Sequence, residues 1–78
     1  MKSIKILGSG CAKCNKLFEM ADQAAGQLNI EYEMEKVTDM KRFVDYGVMI
    51  TPALVVDGQV KASGSVPSID KLKQLINN

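Results

Sequence analysis

The stretch that decides the fold is "SIKILGSGCAKCNK", residues 3–16, in which an apolar run, a glycine-rich turn and two cysteines follow one another. Residues Ser3–Leu7 are rich in β-branched side chains, which predicts a first strand. The glycine-rich turn at residues 8–10 ends that strand. Beyond Cys14 the apolar residues recur at helical spacing over about four turns, which predicts a first helix. These apolar residues are Leu17, Phe18, Ala21, Ala24, Ala25 and Leu28.

The next segment, Ile30–Lys36, alternates strictly between apolar residues and glutamates. Such alternation predicts a strand with one solvated face. A glutamate cluster for metal binding or catalysis is the other interpretation, but the apolar residues at alternate positions favour the strand.

A short second helix is predicted after Thr38 or Asp39, either of which is a suitable N-cap. Its apolar residues are expected to share one face. They are Met40, Phe43 and Val44. Gly47 lies where a helix-ending glycine is expected.

The segments "PALVV" and "QVKA" flank Asp57-Gly58, a pair that favours a two-residue hairpin turn with positive φ at both positions. The final apolar periodicity, from Ile69 to Ile76, predicts a third helix capped by Ser65 or Ser68. The predicted fold is therefore α/β with the order β-α-β-α-β-β-α: a four-stranded mixed sheet with three helices. We expect residues 1–78 to form one domain. The opening strand–helix–strand unit should be parallel and the last two strands antiparallel.

Composition excludes several function classes. The chain has 78 residues, 46% of them hydrophobic, and a net charge of +1, which does not favour a nucleic-acid partner. Histidine is absent, which removes Cys–His catalysis and imidazole bases. No apolar run approaches the ~18 residues that span a membrane, and no signal peptide is apparent. We expect a cytoplasmic monomer without a membrane partner.

The pair Cys11 and Cys14 carries the predicted chemistry. At the start of a helix, Cys11 would lie near the N-cap, with Cys14 one turn further on the same side. The helix N-terminus stabilises an anion, and CxxC thiols at such ends have pKa values lowered from ~8.5 to ~3.5–7.5. Lys13 is expected to contribute to the same lowering of the Cys11 pKa. Gly10 leaves the backbone beside Cys11 open to an approaching disulfide. The pattern favours disulfide exchange, in which the Cys11 thiolate attacks and Cys14 resolves the mixed disulfide.

Three other interpretations compete. A structural staple across so short a loop restrains the unfolded chain little. A soft-metal module that binds Cu(I) through both thiolates is the stronger alternative. Such modules have the ferredoxin-like order β-α-β-β-α-β, which ends on a strand, whereas this chain is predicted to end on a helix. We therefore expect neither metal nor cofactor. A non-catalytic interaction module is a third class, which the intact cysteine pair disfavours.

"GSGCAKCNK" together with "GVMITPALVVDGQV", residues 47–60, resembles the thioredoxin superfamily, and most closely its small thioredoxin/glutaredoxin-like redox-active disulfide proteins. The resemblance covers nearly the whole chain. It implies that Pro52 follows a cis peptide bond beside the cysteines and that the Thr51 backbone pairs with an extended substrate. It also implies disulfide-containing protein substrates and a dithiol reductase as partners. Met49 and Ile50 would either pack or line an apolar docking surface.

The chain departs from the usual thioredoxin pattern at two positions. Thioredoxins carry an aromatic residue directly before the first cysteine, where this chain has Gly10. They also bury an acid on the strand leading into the site, where this chain has Lys5. The redox potential and the proton route therefore cannot be transferred from the family.

Overall fold

The computed structural model describes residues 1–10 and 12–77, and Cys11 and Asn78 lie outside the described residues. Strands and helices follow in the predicted order. The strands are β1 (Lys2–Leu7), β2 (Tyr32–Val37), β3 (Ala53–Val56) and β4 (Gln59–Ser63). The helices are α1 (Ala12–Gln27), α2 (Met40–Asp45) and α3 (Ile69–Asn77). The order ends on α3 and therefore differs from the ferredoxin-like order of soft-metal modules.

The four strands form one mixed sheet in the order β2-β1-β3-β4. Strand β1 is parallel to β2, with Leu7 opposite Val37. It is antiparallel to β3, with Leu7 opposite Ala53, and β3 is antiparallel to β4. Strand β1 is therefore hydrogen-bonded on both sides, and the turn that follows it emerges from the middle of the sheet.

Helices cover both faces of the sheet. On one face α1 and α3 contact each other and pack on alternate residues of β1 and β3. The buried residues of this layer are Ile4, Ile6, Leu17, Ala21, Ala24, Ala25, Leu54, Val56, Leu72 and Ile76. The other face is covered by α2 and the segment after it, with buried residues Leu7, Val37, Phe43, Val48, Ala53 and Val55. The two-residue period of the strands assigns these residues to opposite faces.

Helix α2 packs on the sheet through one of its apolar residues. Only Phe43 is buried, whereas Met40 and Val44 are 71% and 75% exposed. The predicted grouping of these residues on one face therefore does not bring all three into the core. The helix is six residues long, less than two turns, so it brings one side chain to the sheet, and Val48 beyond its end completes the layer.

The predicted caps and turn are present. The Asp39 carboxylate accepts a hydrogen bond from the Lys41 backbone N–H at 2.9 Å and caps α2. The Ser68 hydroxyl accepts one from the Lys71 N–H at 3.3 Å at the start of α3. Asp57 and Gly58 both have positive φ, 51° and 83°, as the two-residue hairpin requires. Local turn chemistry therefore fixes the ends of the elements that surround the site.

Within the described residues, no helix combines the length and the apolar character that crossing a membrane requires.

Candidate functional site

The candidate site begins at the turn between β1 and α1. Cys14 lies in the first turn of α1 and is 1% exposed, so its side chain belongs to the protein interior. Cys11, which directly precedes the first helical residue Ala12, lies outside the described residues. Gly10 is exposed and has a φ of 89°, and a β-carbon there would meet no described heavy atom within 4 Å. A side chain at position 10 would thus meet open space among the described residues.

Gly8 is where the backbone of the turn approaches Cys14 most closely. A β-carbon at Gly8 would overlap the Cys14 Sγ and come within 2.8 Å of its Cβ. The Gly8 N–H donates to the Val37 carbonyl at 2.9 Å, which continues the pairing of β1 with β2. Because the backbone is anchored in this way, only glycine leaves room for the thiol. Gly8 therefore fixes where Cys14 lies relative to the end of the sheet.

The start of β3 lies at the same edge of the sheet. Since Leu7 is opposite Ala53 in an antiparallel ladder, the residues next to this pair, Gly8 and Pro52, extend from the same end. The Thr51–Pro52 peptide bond is cis, as the thioredoxin resemblance implied. Pro52 is buried and Thr51 is half-buried. Topology thus brings the cis-proline segment to the edge where the cysteine turn begins.

The segment before Pro52 presents apolar side chains to solvent. Met49 is 96% exposed and Ile50 is 63% exposed, so of the two roles considered for them the structure favours a surface role over packing. Ile50 lies over Gly64, where a β-carbon would be 2.8 Å from the Ile50 Cγ2. The Gly64 N–H donates to the Pro52 carbonyl at 2.8 Å. The loop after β4 therefore positions Ile50 and the proline segment together.

Three lysines surround the exposed side of the first turns of α1. Lys13 and Lys16 are exposed on the helix itself. The Lys36 Nζ, from β2, donates to the Asn15 side-chain oxygen at 2.9 Å. The same amine lies 5.2 Å from the centre of the Phe18 ring, within the range of a cation–π contact. Positive charge is thus concentrated beside the cysteine turn.

An ionic cluster joins β1, β2 and α2. It includes Lys5, which stands at the position where thioredoxins bury an acid. The Lys5 Nζ is 3.3 Å from one oxygen of Glu35, and the Arg42 Nη1 is 3.2 Å from the other. Hydrogen bonds from Arg42 and then Lys5 lower the pKa of Glu35 below its ordinary value of 4.5. The Glu35 carboxylate, with Tyr46 second, raises the pKa of Lys5 above 10.5. Lys5 is therefore a paired cation in this structure.

No group of three or more His, Cys, Asp or Glu side chains in residues 1–10 and 12–77 is arranged to bind a metal ion. A shallow surface depression lined by Met1, Lys2, Ile30, Glu31 and Asp57 lies at the opposite end of β1 from Cys14. It is separate from the cysteine turn and brings no second reactive group to it.

Sequence reasoning missed two residues of the site. Gly8 was interpreted only as a strand end, although a glycine at that position also signals a close backbone approach. Lys36 was not singled out at all, because its contacts with Asn15 and Phe18 join segments far apart in the sequence.

The fold and this edge of the sheet define the thioredoxin class, in which a cysteine-bearing helix start lies beside a cis-proline segment. The family described as "Thioredoxin domain" matches residues 2–77, and the chain belongs to it. A thioredoxin of Methanothermobacter thermautotrophicus is 36% identical over 77 residues, which cover 99% of this chain and all of the relative. A thioredoxin of Methanocaldococcus jannaschii is 35% identical over 74 residues, covering 95% of this chain and 85% of the relative. A second M. thermautotrophicus protein, a probable thioredoxin, is 30% identical over 71 residues, 87% of this chain and 82% of the relative. These relationships support a function of the thiol–disulfide oxidoreductase type.

Proposed function

We propose that this protein reduces protein disulfides with a dithiol formed by Cys11 and Cys14. The observation that carries the proposal is the burial of Cys14 in the first turn of α1, against Gly8, in a chain of the thioredoxin family. A buried second sulfur is protected from outside disulfides and suited to resolving a bond made by the first. The start of a 16-residue helix directly after Cys11 favours its thiolate, and Lys13 adds positive potential.

The reaction balances as two exchange steps. The Cys11 thiolate attacks one sulfur of the substrate, the substrate S–S bond breaks, and the leaving sulfur departs as a thiolate that takes a proton from solvent. Cys14, after losing its proton, then attacks the Cys11 sulfur, and the second substrate sulfur leaves. The substrate gains two electrons and two protons, and the protein is left with a Cys11–Cys14 disulfide. A dithiol reductase returns it to the reduced state, and no metal or cofactor takes part.

The other predicted site residues contribute to substrate binding. Gly10 leaves space beside the attacking sulfur, and Ile50 offers apolar contact. The Thr51 backbone pairs with an extended substrate segment, as in β-augmentation. We propose that the protein works as a monomer in the cytoplasm, where a reducing environment supplies the donor.

The test compares two single-cysteine variants, Cys14→Ser and Cys11→Ser, with bis(2-hydroxyethyl) disulfide as the probe. We expect Cys14→Ser to form a stable mixed disulfide through Cys11, identified by intact-protein and peptide mass spectrometry. Cys11→Ser should form far less, because its remaining sulfur is buried. The parent protein, with dithiothreitol as donor, should catalyse reduction of an insulin disulfide, and both variants should lose this activity.

A second measurement is alkylation of Cys11 in the Cys14→Ser protein across pH. A pKa below 7 would make it about tenfold more reactive at neutral pH than an ordinary cysteine with a pKa of ~8.5. The proposal is overturned if the parent protein does not form an internal disulfide in a redox titration, or if the two variants form adducts at equal rates.

A further inference from the structure

We propose that the disulfides this protein reduces are flanked by carboxylates, which contact a basic edge formed by Lys13, Lys16 and Lys36 while apolar residues beside the disulfide contact Met49 and Ile50. This inference rests on the proposed function and adds the substrate class. It concerns protein or peptide disulfides with acidic neighbours.

The first support is the uneven charge along α1. The whole chain has ten basic and nine acidic residues, so charge is nearly balanced overall. The first turn of α1 nevertheless contains no acid, and the first acidic residue of the helix is Glu19. Lys13 and Lys16 precede it and are both exposed. The end of the helix next to Cys11 is therefore basic, and the helix N-terminus adds to the positive potential there.

The second support is the fixed position of Lys36. Its amine is bound by the Asn15 side chain at 2.9 Å and lies over the Phe18 ring. Both contacts are on α1, within the turn after Cys14, so this charge from β2 is brought to the helix. A side chain that is already ordered loses less conformational entropy when it meets a partner. An exposed lysine ordered in this way is suited to recognition.

The third support is the composition of the neighbouring surface. Residues 47–52 carry no charged side chain, and Met49 and Ile50 are among the most exposed large apolar residues of the described chain. Ile50 is fixed by its contact with Gly64. An apolar centre with a polar rim is the usual composition of a protein interface. The acid nearest in sequence to Lys36, Glu35, is already paired with Lys5 and Arg42.

The physical consequence is steering. Opposite charges on two partners raise the rate of encounter, and the effect falls with ionic strength. A disulfide with acidic neighbours should therefore react faster than the same disulfide with basic neighbours, without any change in the exchange chemistry.

The test uses three synthetic disulfide-linked peptides that differ only in the residues beside the cysteine, which are Glu, Gln or Lys. The rate at which the protein reduces each peptide is divided by the rate at which dithiothreitol alone reduces the same peptide, because neighbouring charges also change the intrinsic reactivity of a disulfide. At low salt we expect the Glu peptide to be reduced on the order of fivefold faster than the Lys peptide. In 1 M salt, where the Debye length is about 3 Å, the ratio should approach one.

Variants locate the effect. Lys16→Gln and Lys36→Gln should each reduce the Glu-to-Lys rate ratio by about half at low salt. Gln27→Glu is the matched control. This substitution changes the net charge by the same amount at an exposed position of α1 that lies roughly 16 Å from Lys16 along the helix axis. It should leave the Glu-to-Lys rate ratio unchanged.

The outcomes separate this inference from the proposed function. Reduction of the Gln peptide reports the dithiol chemistry alone, and its absence would refute the proposed function. Equal normalised rates for all three peptides, or a Gln27→Glu effect as large as that of Lys16→Gln, would overturn the acidic-substrate inference while leaving the oxidoreductase intact.

Discussion

Gly8 and Cys14 are in such close contact that a single methyl group cannot be added between them: a β-carbon on Gly8 would come within 2.8 Å of the Cys14 Cβ and overlap its sulfur. The backbone at Gly8 is tied to β2 through the Val37 carbonyl, and Cys14 is tied to α1, so neither side moves away easily. This contact joins the end of the central strand to the first turn of the cysteine helix.

Gly8→Ala should therefore destabilise the protein by about 1–3 kcal/mol, the usual cost of overpacking. Gly26→Ala is the matched control, because Gly26 lies within α1 and a β-carbon there would meet only the Tyr32 hydroxyl, at 3.9 Å. That change should stabilise the protein by about 0.5–1 kcal/mol through helix propensity. Urea unfolding of the reduced proteins measures both. If both substitutions changed the free energy of unfolding in the same direction, the close contact between Gly8 and Cys14 would be contradicted.

The burial of Cys14 predicts slow alkylation. In a Cys11→Ser protein, iodoacetamide should modify Cys14 much more slowly than it does in the same protein unfolded in urea, because the thiol is 1% exposed and must wait for local opening. The rate ratio, followed by mass spectrometry, gives the extent of protection. A ratio near one would show that Cys14 is accessible in the native state.

Gly64 and Ile50 give a prediction of non-additivity. Gly64 has a φ of 79°, and a β-carbon there would be 2.8 Å from the Ile50 Cγ2. Gly64→Ala should cost more than about 1 kcal/mol, through backbone strain and the clash together. Ile50→Ala alone should cost little, since the side chain is mostly exposed.

The double variant distinguishes the two causes. Combined with Ile50→Ala, the Gly64→Ala change should be less costly than it is alone, because the clash is removed while the backbone strain remains. Strict additivity of the two unfolding free energies would show that Ile50 does not lie over Gly64.

The ionic cluster around Glu35 predicts a pH dependence of stability. Arg42 and Lys5 lower the pKa of Glu35 in the folded protein, so its contribution is present above the ordinary value of 4.5 and is lost as pH falls through the lower folded value. Glu35→Gln should therefore be less stable than the parent at pH 7, and the difference should shrink at pH 3. Glu33→Gln, exposed on the same strand, is the control and should show a smaller difference at pH 7. An undiminished difference at pH 3 would exclude the charged pairing as its cause.

The opposite end of the pH scale tests the same cluster through Lys5. Glu35 raises the pKa of Lys5 above 10.5 in the folded protein. The stability that this pairing contributes is therefore complete below pH 10.5 and is lost as pH rises through the higher folded pKa. Direct titration of the Lys5 side chain by NMR should show its pKa fall toward 10.5 in the Glu35→Gln protein. An unchanged Lys5 pKa in that variant would show that Glu35 does not raise it.

Much of this fold was predictable because local patterns determine it. The alternation before Val37, the helical periodicity after Cys14 and the Asp57-Gly58 turn each specify an element from a few neighbouring residues. The exposure of Met40 and Val44 was not predictable, because periodicity identifies an apolar stripe without saying how much of a six-residue helix reaches the sheet.

The site was predictable where a motif carried it and not where tertiary contacts made it. The cysteine pair was identified from residue types and spacing, and the Thr51–Pro52 segment from the resemblance to the thioredoxin superfamily. The close approach of Gly8 to Cys14 and the position of Lys36 over Phe18 depend on how β1, β2 and α1 pack, which no local pattern encodes. The placement of Cys11 stays a prediction, because it lies outside the described residues.

The pairing of β1 on both sides has a consequence for hydrogen exchange. Its amides lie in the centre of the sheet with apolar layers on both faces, so they should exchange only on global unfolding. Helix α2, with Phe43 as its one buried side chain, should lose protection first. The turn that follows β1 thus extends from the part of the molecule expected to exchange most slowly, and the proposed thiol chemistry needs no opening of the framework beneath it.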